Sequence, residues 1–161
     1  MAAVIGWDIG GAHIKAARAD DGRLTAVVQI ACAPHESVAS LEQALRAARA
    51  ALGEAERHHV TMTAELSDAF ESRSRGVVTV AAIAAREIGV PDILFYAGER
   101  GLISRDEVGA NVDAVASANW RASAEFVARH CAEVLFIDIG STTTDLAPIC
   151  AKRVAPRDNP A

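Results

Sequence analysis

The sequence predicts an α/β protein built on a mixed sheet, and three observations carry that prediction. Short apolar runs closed by glycine or proline alternate with longer stretches whose apolar residues recur at helical spacing. The chain opens on a strand, a glycine turn and two further strands before any helix begins. The same strand–turn–strand pattern then returns near the C-terminal end, as a second apolar run ending in Asp-Ile-Gly.

Taken in order, Ala3 to Ile9 is a short apolar run that Gly10-Gly11 interrupts, which reads as a buried strand and a tight turn. His13 to Ala19 and Leu24 to Ala31 read as two more strands, joined by Asp20-Asp21-Gly22 as a hairpin turn. From Glu36 to Leu52, Val38, Leu41, Ala44, Leu45, Ala48 and Leu52 recur at helical spacing, and Gly53 stops the helix. His59 to Thr63 is a short strand, and Ser67 is placed to cap a helical turn after it. Gly76 to Ile88 is a second helix, ended by Gly89 and Pro91. Ile93 to Ala97 is β-prone, and Asp106 to Val108 is expected to be a short extended piece. Asp113 to Cys131 is expected to be mainly helical with a break near Asn119. Val134 to Ile139 and Thr142 to Ile149 read as a hairpin, and Ala151 to Ala161 as a frayed tail.

Composition narrows the function classes. The chain has 161 residues, 51% of them hydrophobic and few of them aromatic, enough for a buried core in an ordinary globular domain. A formal net charge of -5 without a basic run argues against nucleic acid as a partner, because phosphate backbones are held by Lys and Arg. Cys32, Cys131 and Cys150 form no C-x-x-C pair, so they read as small apolar residues in a reducing compartment. His58 and His59 would face opposite ways on a strand and make a poor chelate. With no signal-peptide pattern and no run near ~18 apolar residues, the expectation is a cytoplasmic protein without a membrane partner.

The repeat carries the chemistry. Ile5-Gly-Trp-Asp-Ile-Gly-Gly-Ala12 and Leu135-Phe-Ile-Asp-Ile-Gly-Ser-Thr142 are both apolar strands ending in Asp-Ile-Gly and a small residue. Aligning Asp8 with Asp138 sets Lys15 against Asp145. Gly10, Gly11 and Gly140 free main-chain N–H groups to point at phosphate oxygens. Ser141, Thr142 and Thr143 add hydroxyl donors, and Lys15 a point charge. Asp8 and Asp138 are candidate ligands for Mg²⁺, directly or through its water shell. One Asp-x-Gly alone is a common strand-to-turn signal; two, each after an apolar strand, are far more specific.

These segments resemble the two phosphate motifs of the actin-like ATPase superfamily, a ribonuclease H-like fold shared by actin, Hsp70 chaperones and sugar kinases. The fuller resemblance is to hydantoinase/oxoprolinase-related proteins of the tetrahydromethanopterin-linked one-carbon pathway. It rests on Gly6 to Lys15, Thr61-Met-Thr-Ala-Glu-Leu-Ser-Asp-Ala-Phe70, Ser117-Ala-Asn-Trp-Arg121 and the second phosphate turn. That resemblance implies a Mg²⁺-dependent transferase of cofactor synthesis, joining an aminomethylfuran diphosphate to γ-glutamyltyramine or a similar phenol with release of pyrophosphate. The small-molecule diphosphate would be its substrate.

The resemblance also turns attention to Glu65 and Asp68 as catalytic carboxylates, with Glu65 first choice for general base. Spacing alone reads the pair equally as acids at a solvated helix start; if the segment is helical, they share a face. Asn119 and Arg121 are candidate substrate contacts, Arg121 because its planar fork matches phosphate and carboxylate, with packing and a solvated surface as the plain readings. Arg73 and Arg75 read as solvated charge.

The expected organisation is a first actin-like domain over 1–118, a linker helix and partial second domain over 119–150 holding the second phosphate hairpin, and a disordered tail over 151–161. The second domain has one hairpin only, so the chain reads as truncated, with an exposed apolar edge suited to a homodimer. A nucleotide-binding kinase or ATPase half-domain is the alternative reading, and an inactive remnant the third.

Overall fold

The computed structural model describes residues 3–140 and 144–155. The chain divides into two compact units, Met1–Ala118 and Asn119–Ala161.

The first unit opens on a meander of β1 (Ala3–Ile9), β2 (His13–Asp20) and β3 (Arg23–Ala31). Asp21 (φ 50°) and Gly22 (φ 78°) both take positive φ in the β2–β3 turn, the conformation whose twist suits a two-residue hairpin. Helix α1 (Val38–Leu52) starts where the Ser37 hydroxyl accepts from the Ala39 N–H at 3.2 Å, and stops at Gly53 (φ 72°). It buries Leu41, Ala44, Leu45, Ala48 and Leu52, the stripe its spacing predicts. Strand β4 (Arg57–Met62) then runs parallel to β1. Helix α2 (Arg73–Ile88) begins three residues ahead of Gly76, because Ser72 rather than the glycine caps it, and ends at left-handed Gly89. Strands β5 (Ile93–Tyr96) and β6 (Leu102–Ser104) complete a six-stranded mixed sheet in the order β3-β2-β1-β4-β5-β6.

Period-two alternation sorts the strands. Ile5, Trp7 and Ile9 of β1 and Val60 and Met62 of β4 enter the core with the α1 and α2 stripes, leaving Gly6 and Asp8 on the other face. His58 is buried as well. Its Nδ1 accepts from Trp7 Nε1–H at 3.0 Å, so the proton sits on Nε2, which faces the Ala55 carbonyl at 3.3 Å. Burial holds its pKa below the ordinary histidine value and keeps the ring neutral.

Two expectations fail here. Residues 106–108 are not extended: α3 (Arg105–Val108) is helical, because the Glu107 carboxylate accepts from both the N–H (2.9 Å) and hydroxyl (2.7 Å) of Ser104 in a capping box. The extended piece is β6, just before it. The turn expected after Ser67 is not a helix either; the Ser67 hydroxyl instead accepts from the Ala69 N–H at 3.3 Å in a local turn. The broken helix over 113–131 is observed as α4 (Val112–Val115) and α5 (Asn119–His130).

In the second unit, α5 packs on a three-stranded antiparallel sheet of β7 (Val134–Ile139), β8 (Thr144–Cys150) and β9 (Arg153–Val154). Strand β9 lies inside the stretch expected to be a disordered tail; it pairs with β8 through a turn at Ala151 (φ 52°) and Lys152 (φ 61°). The rest of that stretch, 156–161, lies outside the described residues. No helix among the described residues is long and apolar enough to cross a membrane.

Candidate functional site

The sheet order places the site. Strands β1 and β4 are parallel neighbours, and from their carboxyl ends the chain departs in opposite directions, toward β2 on one side and toward α2 and β5 on the other. Ligands of open α/β sheets bind at such a switch point, where no crossing connection covers the strand ends. Asp8, the Gly10-Gly11 turn, Thr63 and Glu65 all lie there.

At the turn, the Gly10 N–H donates to the His13 carbonyl at 3.0 Å, and a Cβ on Gly10 would stand 2.8 Å from that oxygen. Only glycine closes this turn without a shift. A Cβ on Gly11 would meet nothing within 4 Å, so its backbone faces open space. Thr63 ties the end of β4 to the turn, its N–H donating to the Ile9 carbonyl at 2.9 Å. Beside the turn, Lys15 Nζ lies 3.4 Å from Asp8 Oδ2, with the lysine mostly exposed. The other carboxylate oxygen, Oδ1, is buried with no hydrogen-bond partner among the described residues. An unsatisfied buried oxygen calls for a missing partner, and a carboxylate oxygen suits a hard cation or its water shell. Among the described residues no three His, Cys, Asp or Glu side chains gather as a metal cage.

Glu65 lies in a single 3-10 turn, Ala64–Leu66, and its side chain is fully enclosed. The Ser117 hydroxyl donates to Oε1 at 2.6 Å, Arg73 Nε stands 3.9 Å from the same oxygen, and Oε2 has no partner among the described residues. Burial pushes the Glu65 carboxyl above the ordinary carboxylate range, with the Ser117 hydrogen bond and the Arg73 charge pulling back. Close packing fixes the turn. A Cβ on Gly76 would stand 2.7 Å from the Glu65 carbonyl oxygen, so glycine lets α2 rest against it.

Asp68 does not join Glu65. The chain leaves the 3-10 turn at Ser67 in an extended conformation, and Asp68 points into solvent. Their shared face required a continuous helix, which is not present. Asp138 and Gly140 lie at the end of β7 in the second unit, while Ser141, Thr142 and Thr143 fall outside the described residues. Asn119 and Arg121 open α5; Arg121 Nε donates to Glu125 Oε1 at 3.1 Å, one turn along, and the Asn119 carbonyl accepts from Ser123.

Three contributors escaped the sequence reading as individual residues: Ser117, Arg73 and Gly76. Arg73 was expected to be solvated charge; it is half-exposed, yet Nη2 also donates to the Ala116 carbonyl at 3.3 Å. Ser117 stood within a resembling segment without a role. No sequence rule joins residues 52 positions apart.

Comparison with known proteins agrees with this architecture. A model of the hydantoinase/oxoprolinase family matches residues 56–159. Over 96 residues the chain is 34% identical to the (4-{4-[2-(gamma-L-glutamylamino)ethyl]phenoxymethyl}furan-2-yl)methanamine synthase of Methanocaldococcus jannaschii, covering 59% of this chain and 29% of the synthase. The chain thus spans under a third of that relative's length. Among solved structures, a Ppx/GppA family member from Aquifex aeolicus superimposes with a TM-score of 0.56 at 16% identity, covering 96% of this chain and 49% of that one. The ethanolamine utilization protein EutJ from Carboxydothermus hydrogenoformans gives 0.56 at 14%, covering 97% and 50%. The fold is that of the actin-like ATPases.

Proposed function

The chain belongs to the hydantoinase/oxoprolinase family, and from that premise we propose that it serves a biosynthetic transferase whose substrate is a Mg²⁺-bound small-molecule diphosphate. The observation that carries the reading is the buried Asp8 Oδ1, without a partner among the described residues, beside an open glycine turn at the sheet's switch point. The similarity to the furan methanamine synthase supports the finer version, an aminomethylfuran diphosphate joined to a phenol such as γ-glutamyltyramine.

In this reading the Gly11 backbone and Lys15 receive the diphosphate and Asp8 holds the metal; Asp138 and the glycine turn at Gly140 repeat the same donor pattern in the second unit. Mg²⁺, when bound, neutralises charge that builds on the leaving pyrophosphate. The phenol oxygen forms a new bond to the furan methylene carbon as that carbon's bond to the diphosphate oxygen breaks. The phenol proton leaves toward Glu65, whose enclosed setting suits a base poised above the ordinary carboxylate range. The bonding pair departs with pyrophosphate, so charge and atoms balance.

Titration calorimetry with pyrophosphate, with and without Mg²⁺, tests the site directly. Metal-dependent binding that Asp8→Ala weakens is expected. Binding of Mg²⁺-ATP in preference to pyrophosphate would instead favour a nucleotide-handling half-domain, and no metal-dependent binding to either would sink the reading.

A further inference from the structure

Two of the four segments that carry the family resemblance, Thr61 to Phe70 and Ser117 to Arg121, are joined by a hydrogen bond between Ser117 and Glu65. That contact poses a geometric problem for a base at Glu65. The Glu65 side chain has no exposed surface, so an acceptor held outside cannot touch its carboxyl. Ser117, by contrast, is only half-buried and reaches Glu65 Oε1 at 2.6 Å.

We propose that the Ser117 hydroxyl is the group that meets the acceptor's hydroxyl, and that it relays the acceptor's proton to Glu65 behind it. The inference rests on the reading of Glu65 as the base and adds the residue that makes contact. In the step, the acceptor O–H gives its proton to Ser117 Oγ while the proton of Ser117 passes to Glu65 Oε1. The acceptor oxygen keeps the electron pair with which it attacks, and Ser117 ends as it began.

The surroundings favour a placed hydroxyl over an incidental one. Ser117 is held at φ 50°, the left-handed region that side-chain-bearing residues seldom occupy. Such strain persists only where neighbours enforce it, and it concentrates at functional positions. Here the neighbour Ala116 bridges to Met62 at the end of β4, and its carbonyl accepts from Arg73 Nη2. On the far side, Gly76 lets α2 lock the Glu65 backbone. Arg73 is the charged group facing the carboxyl from α2, and Ser117 faces it from the residues after α4.

The test uses the full chain, with the Glu65 carboxyl followed by ¹³C NMR through a pH titration and assigned by its loss in Glu65→Gln. Tyramine serves as the phenol probe, without metal or diphosphate. Ser117→Gly removes the hydroxyl and also relieves the positive φ, so folding is preserved or improved; Ser117→Ala removes it while keeping the strain. Both variants should raise the Glu65 midpoint, by roughly a tenfold change in proton affinity. Saturating tyramine should shift the midpoint in the wild type and leave both variants unmoved. An equal tyramine response with and without the hydroxyl would overturn the relay, since the probe then reaches Glu65 by another route. A midpoint that tyramine never moves would overturn it too. Neither result touches the Mg²⁺–pyrophosphate binding at Asp8, so the two readings fail separately.

Discussion

In the first Asp-Ile-Gly hairpin, Asp8 stands across from Lys15 and Ile9 across from Ile14; in the second, Asp138 stands across from Asp145 and Ile139 across from Thr144. The registers are the same, with four residues between the last paired positions in each. The surroundings are opposite. Strand β1 lies between β2 and β4 and sends Ile5, Trp7 and Ile9 into a core closed by α1 and α2. Strand β7 lies at the edge of a three-stranded sheet, and Leu135, Ile137, Ile139 and Leu146 are exposed on one face. The pairing partner of the aspartate differs as well, a lysine in one hairpin and a second carboxylate in the other. A short motif therefore sets turn and register, whereas burial is set by what the rest of the chain lays against it.

The contrast breaks most sharply under core truncation. Ile9→Ala should cost about 2–5 kcal/mol, since it removes a fully buried side chain and leaves a cavity. Ile139→Ala, at the matching position but 76% exposed, should fall within about 0.5 kcal/mol of the wild type. Denaturant unfolding followed by circular dichroism measures both; equal losses would show that the second hairpin is buried in solution.

Within the first turn the two glycines should separate. Gly10→Ala forces a Cβ against the His13 carbonyl and should destabilise by about 1–3 kcal/mol. Gly11→Ala should leave the melting midpoint unchanged and weaken pyrophosphate binding, because its Cβ enters the open side. Thermal scans paired with calorimetry give both readings.

The metal-site reading predicts that Asp8→Ala and Asp138→Ala each weaken Mg²⁺-dependent pyrophosphate binding about tenfold, or roughly 1.4 kcal/mol. Asp21→Ala, in an ordinary β2–β3 turn, should have no such effect. Binding that survives loss of Asp138 would assign the site to the first hairpin alone.

Both buried polar side chains among the described residues, His58 and Glu65, belong to the first unit, and pH exposes the difference. Burial raises the folded-state pKa of Glu65 above its unfolded value. Between those two values the folded state holds more protons, so stability falls as pH rises from the ordinary carboxylate range through the folded pKa. Glu65→Gln should remove that fall, and the difference between wild-type and variant stability curves isolates it from His58. A difference curve flat in pH would mean that Glu65 ionises as freely folded as unfolded.

A small effect is expected at Lys15. Lys15→Asp gives the first hairpin the carboxylate pair of the second and should cost about 0.2–1 kcal/mol, the scale of exposed cross-strand charge pairs. Repeating the unfolding measurement in high salt should shrink the loss.

Local chemistry explains which parts of this protein were legible in its sequence. Apolar runs closed by glycine fixed Ala3–Ile9 and Val134–Ile139 to the residue, and Gly53 and Gly89 marked helix ends because only glycine adopts their backbone angles at little cost. Asp8, Gly10 and Gly11 were legible as a strand end and a glycine turn for the same reason: each acts through its own backbone or an adjacent strand. Short-range competition defeated the reading at 102–108, where a three-residue strand shows no period and a capping box outweighs β-propensity. The burial of Glu65, its bond to Ser117, the close approach of Gly76 and the outward turn of Asp68 were decided by tertiary packing alone. Each depends on groups far apart in the chain reaching one point in space, and a linear pattern encodes neighbours along the chain, not across it.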